Sequence, residues 1–192
     1  MGYEVKVSLS NKHLHLKQED IEKLFGKGYK LNVFKPLAQP GQYACEEKVD
    51  IIGPKGALKG VRVLGPARPE TQVEISMTDA RTIGIPAPVR ESGKLVGTPG
   101  CKLSGPCGEV NLDHGVILAL RHIHLSESQA REAGVKDKDI VALKIGGERG
   151  VIFNNVLIRS GEGHEKEVHL DTDEGNAAGC GAGAMAEIII QK

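Results

Sequence analysis

Five of the seven histidines fall into a pattern that suits metal binding. His13 and His15 flank Leu14, and His122 and His124 flank Ile123. Successive side chains on a β-strand point to opposite faces, so each pair presents two imidazoles on one side. The pairs are 109 positions apart. A second likeness, residues 73–78 with 168–173, runs at 95 positions and sets Glu74 against His169. In both segments the polar residue faces away from its apolar neighbours. Two candidate ligand sets follow: His13, His15 and Glu74, and His122, His124 and His169. Imidazole nitrogens, with or without a carboxylate oxygen, are normal zinc donors, and three protein ligands leave a fourth position for water or substrate. A single H-x-H is a weak signal, since surface histidines are common. The repeat strengthens it, because all six corresponding positions are metal-competent. His114 and His164 lie outside the frame and read as partly exposed polar residues.

Arg68 stands in Gly65-Pro66-Ala67-Arg68-Pro69, and its counterpart at the 95-residue offset is Gly163. Only one half supplies an arginine there. A single site using both ligand sets and one arginine is therefore the simpler account. Two prolines stiffen the Arg68 loop, which suits bidentate binding of phosphate. Lys12 and Arg121, each beside a histidine pair, are candidates to meet substrate phosphates. Nucleophilic catalysis has little support: there is no G-x-S-x-G elbow, and the four cysteines match no pattern of an activated thiolate. Ser92, in Arg90-Glu91-Ser92-Gly93, reads as a turn serine. Thr172-Asp173 reads as the cap of a short helix near the second metal strand.

The elements that must position these residues are mostly short strands. Alternation marks 3–9, and further strand signals lie at about 30–34, 48–52, 57–64, 71–76, 139–145, 150–158, 166–171 and 186–191. Helical spacing marks 17–25, and Ser126 with Gln129 forms a capping box that opens a helix ending before Gly134. The offsets differ by fourteen, so the first half carries about fourteen extra residues, expected between 30 and 64. The reading is a mainly β chain of two homologous small β-barrel domains, each with short capping helices. The first half is 1–88, a Gly/Pro-punctuated connector is 89–107, and the second half is 108–192. The 25 basic and 25 acidic residues cancel, and aromatics are 3% with no Trp, which argues against a nucleic-acid partner. No apolar run is long enough to span a membrane, and no signal peptide is visible. No C-x-x-C pair occurs, so reduced thiols in the cytoplasm are the simplest reading.

At His13-Leu14-His15-Leu16, Gly65-Pro66-Ala67-Arg68-Pro69, Arg121-His122-Ile123-His124-Leu125 and Asp171-Thr172-Asp173-Glu174, the sequence resembles the phosphate propanoyltransferase family. These are phosphotransacylases of propanediol-using bacterial microcompartments. The likeness covers nearly the whole chain. It implies two β-barrel domains capped by short helices and two zinc ions per chain. It implies that a short-chain acyl-CoA, propanoyl-CoA or acetyl-CoA, and inorganic phosphate give acyl phosphate and coenzyme A. It assigns one zinc to His13, His15 and Glu74, the other to His122, His124 and His169, and phosphate to Arg68. Direct attack by phosphate at the two-metal site is the expected mechanism. Only a few residues precede the first strand, so the encapsulating extension of microcompartment members is not expected and a cytoplasmic location is. A homodimer stays open. So do two other readings: a two-zinc thioesterase or phosphoesterase, which would turn over without phosphate, and a non-catalytic metal-binding module.

Overall fold

The computed structural model describes residues 2–164 and 166–190. Fifteen strands and four short helices alternate along them. β1 (Tyr3–Ser10) opens the chain. There follow β2 (His13–His15), α1 (Gln18–Phe25), β3 (Val33–Pro36), β4 (Tyr43–Ile52), β5 (Ala57–Gly65), β6 (Gln72–Glu74), α2 (Met77–Ile83), β7 (Val89–Arg90), β8 (Cys101–Ser104), β9 (Glu109–Leu112) and β10 (Val116–Ala119). The rest comprises β11 (His122–Leu125), α3 (Glu127–Ala133), β12 (Ile140–Ile145), β13 (Val151–Ser160), β14 (Glu167–Asp171), α4 (Thr172–Ala178) and β15 (Met185–Ile189).

These elements form two compact units. One joins the N-terminal segment through Asn11 to the chain from Leu120 onward; the other is Lys12–Ala119. The first is a closed barrel in the order β1-β14-β11-β13-β12-β15. The second is a curled nine-stranded sheet whose central order is β10-β6-β2-β5-β4. Both share one plan. β1 runs parallel to β14 with Val7 opposite Val168, and β10 runs parallel to β6 with Val116 opposite Val73. Those partners are related by the offsets of the sequence repeat. Each half therefore gives its opening strand to the unit that holds the other half's third-ligand strand. For this reason the compact units cut the chain at different points from the repeat.

In the barrel, β15 pairs with both β1 and β12 and closes the ring. In the open sheet, β8 lies on β4 and β7 on β10. The stretch read as a connector thus contributes two of this unit's strands. After α3, six residues precede β12, whereas residues 26–42 separate α1 from β4 and include β3. Most of the extra residues of the first half lie there, inside the expected range.

Each unit has its own core. Val5, Val7, Ile123, Leu125, Leu143 and Ile158 are buried in the barrel, and Leu14, Leu16, Ile51, Val63, Val73 and Ile83 in the sheet. The helices are set by their caps. Ser126 and Gln129 form the expected capping box, and Asp171 with Glu174 forms a second, so Asp171 rather than Thr172 or Asp173 caps α4. Ser76 caps α2, a helix at the end of what the sequence reads as a longer strand. Glycines 84, 134 and 179 end α2, α3 and α4 in the left-handed region, which costs a residue without Cβ least.

Candidate metal centres

All six expected ligands gather into two sets of three. In each set the candidate donor atoms lie within 4.8 Å of one another. The register explains why. β2 and β6 run antiparallel with His13 opposite Glu74, and β11 and β14 do the same with His122 opposite His169. Directly opposed residues on one face bring their side chains together. The second histidine of each pair joins because it lies two residues along the same strand. Each ligand strand then runs into a short helix: β2 into α1, β6 into α2, β11 into α3 and β14 into α4.

In the sheet unit, His13 Nε2 lies 3.4 Å from Glu74 Oε2, and their side chains keep only 13% and 11% exposure. His15 is buried, and its Nδ1 has no hydrogen-bond partner. Such an atom is costly to bury unless something else meets it. A cation held by His13, His15 and Glu74 would do so, and the donor set fits zinc. Burial, with His13 and Arg68 nearby, pushes the His15 imidazole down to about 3, so it stays neutral and able to ligate.

Around Glu74 is a network that sequence reasoning missed. The Ser92 hydroxyl donates to Glu74 Oε1 (3.2 Å) and accepts from Gln72 Nε2 (2.8 Å) and Arg68 Nη1 (3.3 Å). Its one donor and two acceptor sites are all used. Gln72 also donates to Glu74 Oε1 and accepts from the Gly93 amide (2.7 Å). Ser92 is in a turn, as expected, and it is also the link between Arg68 and a ligand. The Arg68 amide donates to the Leu16 carbonyl (2.9 Å), which ties the arginine loop to the residue after His15.

In the barrel unit, the three rings of His122, His124 and His169 have centroids 4.8 to 5.0 Å apart. His122 Nδ1 lies 2.9 Å from the Leu120 carbonyl, and His169 Nε2 lies 2.9 Å from Glu167 Oε1. Outer partners of this kind fix ring orientation and leave the other nitrogen to face a metal. Burial, then His122 and His169, push His124 down to about 2. His164 is no bystander: its ring stands 4.7 Å from that of His124, and its Nδ1 lies 3.0 Å from the Arg159 carbonyl. Its position one residue after the barrel's counterpart of Arg68 held no local signal of this. His114 pairs with Glu70 at a half-exposed position, as a surface histidine would.

Lys12 and Arg121 lie immediately before the two histidine pairs, and each has a carboxylate partner. Lys12 Nζ is 2.9 Å from Asp79 Oδ1, and Arg121 Nε is 2.6 Å from Glu174 Oε1. All four cysteines are free. Burial pushes Cys45 up to about 11 and Cys101 to about 12, and raises Cys180, so none of these three is a ready thiolate. Among the described residues no helix is long and apolar enough to cross a membrane.

The sequence pattern described as phosphate propanoyltransferase matches residues 6–181. A phosphate propanoyltransferase of Clostridioides difficile (strain 630) is 50% identical over 185 residues, covering 96% of this chain and 88% of that protein. One from Thermotoga maritima is 54% identical over 184 residues, covering 95% and 88%. One from Salmonella typhimurium (strain LT2) is 52% identical over 176 residues, covering 91% and 83%.

Proposed function

Because this chain belongs to the phosphate propanoyltransferase family, we propose that it moves a short-chain acyl group from coenzyme A to inorganic phosphate, with propanoyl-CoA or acetyl-CoA as donor. The observation that carries this reading is the Arg68–Ser92–Glu74 chain of hydrogen bonds, which sets an anion-binding guanidinium beside a candidate metal ligand. His13, His15 and Glu74 would hold one zinc, and His122, His124 and His169 a second. Bound there, zinc supplies Lewis acidity toward the thioester carbonyl and affinity for the departing thiolate.

The protein's own groups do the rest. Arg68 meets phosphate through its planar guanidinium, and its anchored loop fixes the direction of that fork. A phosphate oxygen attacks the thioester carbonyl carbon, the C–S bond breaks, and coenzyme A leaves as thiolate. Holding both substrates in line removes the entropy of their encounter, which supplies several kcal/mol of the barrier. No acyl-enzyme is needed, and the raised thiols of Cys45, Cys101 and Cys180 fit that account.

The test is thiol release from propanoyl-CoA and acetyl-CoA, with and without phosphate, alongside metal analysis. Release that requires phosphate, from protein carrying close to two zinc ions per chain, is expected. Release without phosphate would make the chain a thioesterase. Active protein holding one metal or none would overturn the two-metal reading, and an acyl group trapped on a side chain would overturn direct transfer.

A further inference from the structure

Two ion pairs occupy corresponding places in the repeat. Lys12 precedes His13 and pairs with Asp79; Arg121 precedes His122 and pairs with Glu174. Lys12 and Arg121 stand 109 positions apart, and Asp79 and Glu174 stand 95 apart, the same two offsets that relate the ligands. Each acid is the third residue of the helix that follows the third ligand's strand, α2 after Glu74 and α4 after His169. The acids also belong to the helix starts. The Asp79 amide donates to Ser76 Oγ (3.2 Å). Glu174 divides its oxygens: Oε1 takes Arg121, and Oε2 accepts from the Asp171 amide (2.9 Å).

Neither pair is a loose surface contact. Side-chain exposures are 34% and 13% for Lys12 and Asp79, and 28% and 16% for Arg121 and Glu174. Arg121 is fixed further, since Nη1 donates to the Asn154 carbonyl (3.1 Å) and the guanidinium lies 4.9 Å from the Phe153 ring centroid. The residue types differ between halves, Lys–Asp against Arg–Glu, while charge and placement are kept. An incidental ion pair would not recur with both partners at the offsets of the ligands.

We propose that these pairs are matched clamps, each locking the strand that bears two ligands to the helix behind the third. Lys12 and Arg121 are then positioning residues for the ligand sets rather than contacts to coenzyme A. The inference rests on reading the two sets as metal sites. A three-ligand site binds tightly only while its donors are held in place, so loosening one strand against the next hastens metal loss.

The test follows metal release from the full chain, loaded with zinc or cobalt, into a chromophoric chelator. Lys12→Met and Asp79→Asn should each release one of the two metals about 10- to 100-fold faster. Arg121→Met and Glu174→Gln should do so for the other. Each double variant should release no faster than its singles, as expected of partners in one interaction. Lys12→Arg and Arg121→Lys should restore slow release and the wild-type cobalt spectrum. KM for acyl-CoA should stay within about twofold of wild type in the single variants. Wild-type release rates in the Met, Asn and Gln variants would overturn the clamp. So would a raised KM with metal retention intact, which would return Lys12 and Arg121 to the substrate. A wild-type chain that takes up no metal would bring down the metal reading itself, and the clamp role with it.

Discussion

The two ligand sets share a strand plan and differ in what surrounds them. In the barrel, three imidazoles are backed by the Leu120 carbonyl, Glu167 and His164, so the surroundings serve the rings. In the sheet, the third ligand is a carboxylate, and its surroundings lead through Ser92 and Gln72 to an arginine. Glycine stands at the barrel's counterpart of Arg68. Duplication thus supplied two similar candidate metal cradles, and the sheet unit also acquired an arginine arm. The difference teaches that a carboxylate at the third position, with lone pairs left over to accept hydrogen bonds, can tie a candidate metal set to an arginine, whereas an imidazole there has one remaining ring nitrogen, which in the barrel goes to Glu167.

Removing a buried histidine should break the likeness most severely. His15→Ala or His124→Ala should each cost one bound metal and at least roughly 1000-fold in turnover, since Lewis-acid stabilisation is worth several kcal/mol. Metal analysis and steady-state rates read this directly, and a variant that keeps both metals contradicts the assignment of that set.

Arg68 tests the asymmetry. Arg68→Ala should lose about 2–4 kcal/mol of transition-state stabilisation, or roughly 30- to 1000-fold in rate. Arg68→Lys should still lose activity because a lysine ammonium lacks the planar fork. Both directions of the reaction should suffer, with zinc content unchanged. Near-normal rates at low phosphate would make Arg68 a bystander.

Glu74→His would make the two sets chemically alike. Metal should remain, but Ser92 and Gln72 would lose their acceptor. The rate should fall about 10- to 100-fold, the usual cost of a disrupted outer partner. Ser92→Ala should give a similar drop by removing the same link. If both variants work normally, the arginine arm functions without the ligand.

The two sets should look alike in acid. His15 and His124 have pKa values pushed from 6.5 to about 3 and about 2, chiefly by burial. Between those limits the unfolded chain binds a proton at each that the native chain does not. Stability is therefore fully present above pH 6.5 and is lost as pH falls toward 3, by at most about 1.4 kcal/mol per pH unit per histidine. Urea unfolding of chelator-treated protein at pH 7 and pH 5 measures it, and an unchanged midpoint would deny that either ring is buried neutral.

The smallest contrast lies in the helix starts. Lys17 and Ser126 correspond in the repeat, yet Lys17 makes no side-chain cap to α1 and Ser126 caps α3. At α1, Thr71 Oγ1 instead accepts from the Lys17 amide and donates to buried Asp20. Ser126→Ala should cost about 1 kcal/mol, and Lys17→Ala should stay within about 0.5 kcal/mol. Thermal unfolding distinguishes them, and equal losses would mean that Lys17 caps after all.

The six candidate ligands were legible because their signal is local. Alternation along a strand fixes which residues share a face, and the offsets of 109 and 95 show that the arrangement was copied. The Ser126 box and the glycine stop of α3 were legible for the same reason: a helix terminus is satisfied by residues within one turn. Tertiary structure alone decided what lies between distant segments. It set β1 beside β14 and β10 beside β6, closed one sheet with β15 and left the other open. It brought Ser92 and Gln72 to Glu74, His164 to His124, and Asp79 and Glu174 to the cations before the histidine pairs. Strand pairing and side-chain hydrogen bonds at such separations depend on which surfaces are buried together, and no short-range period in a sequence records that choice.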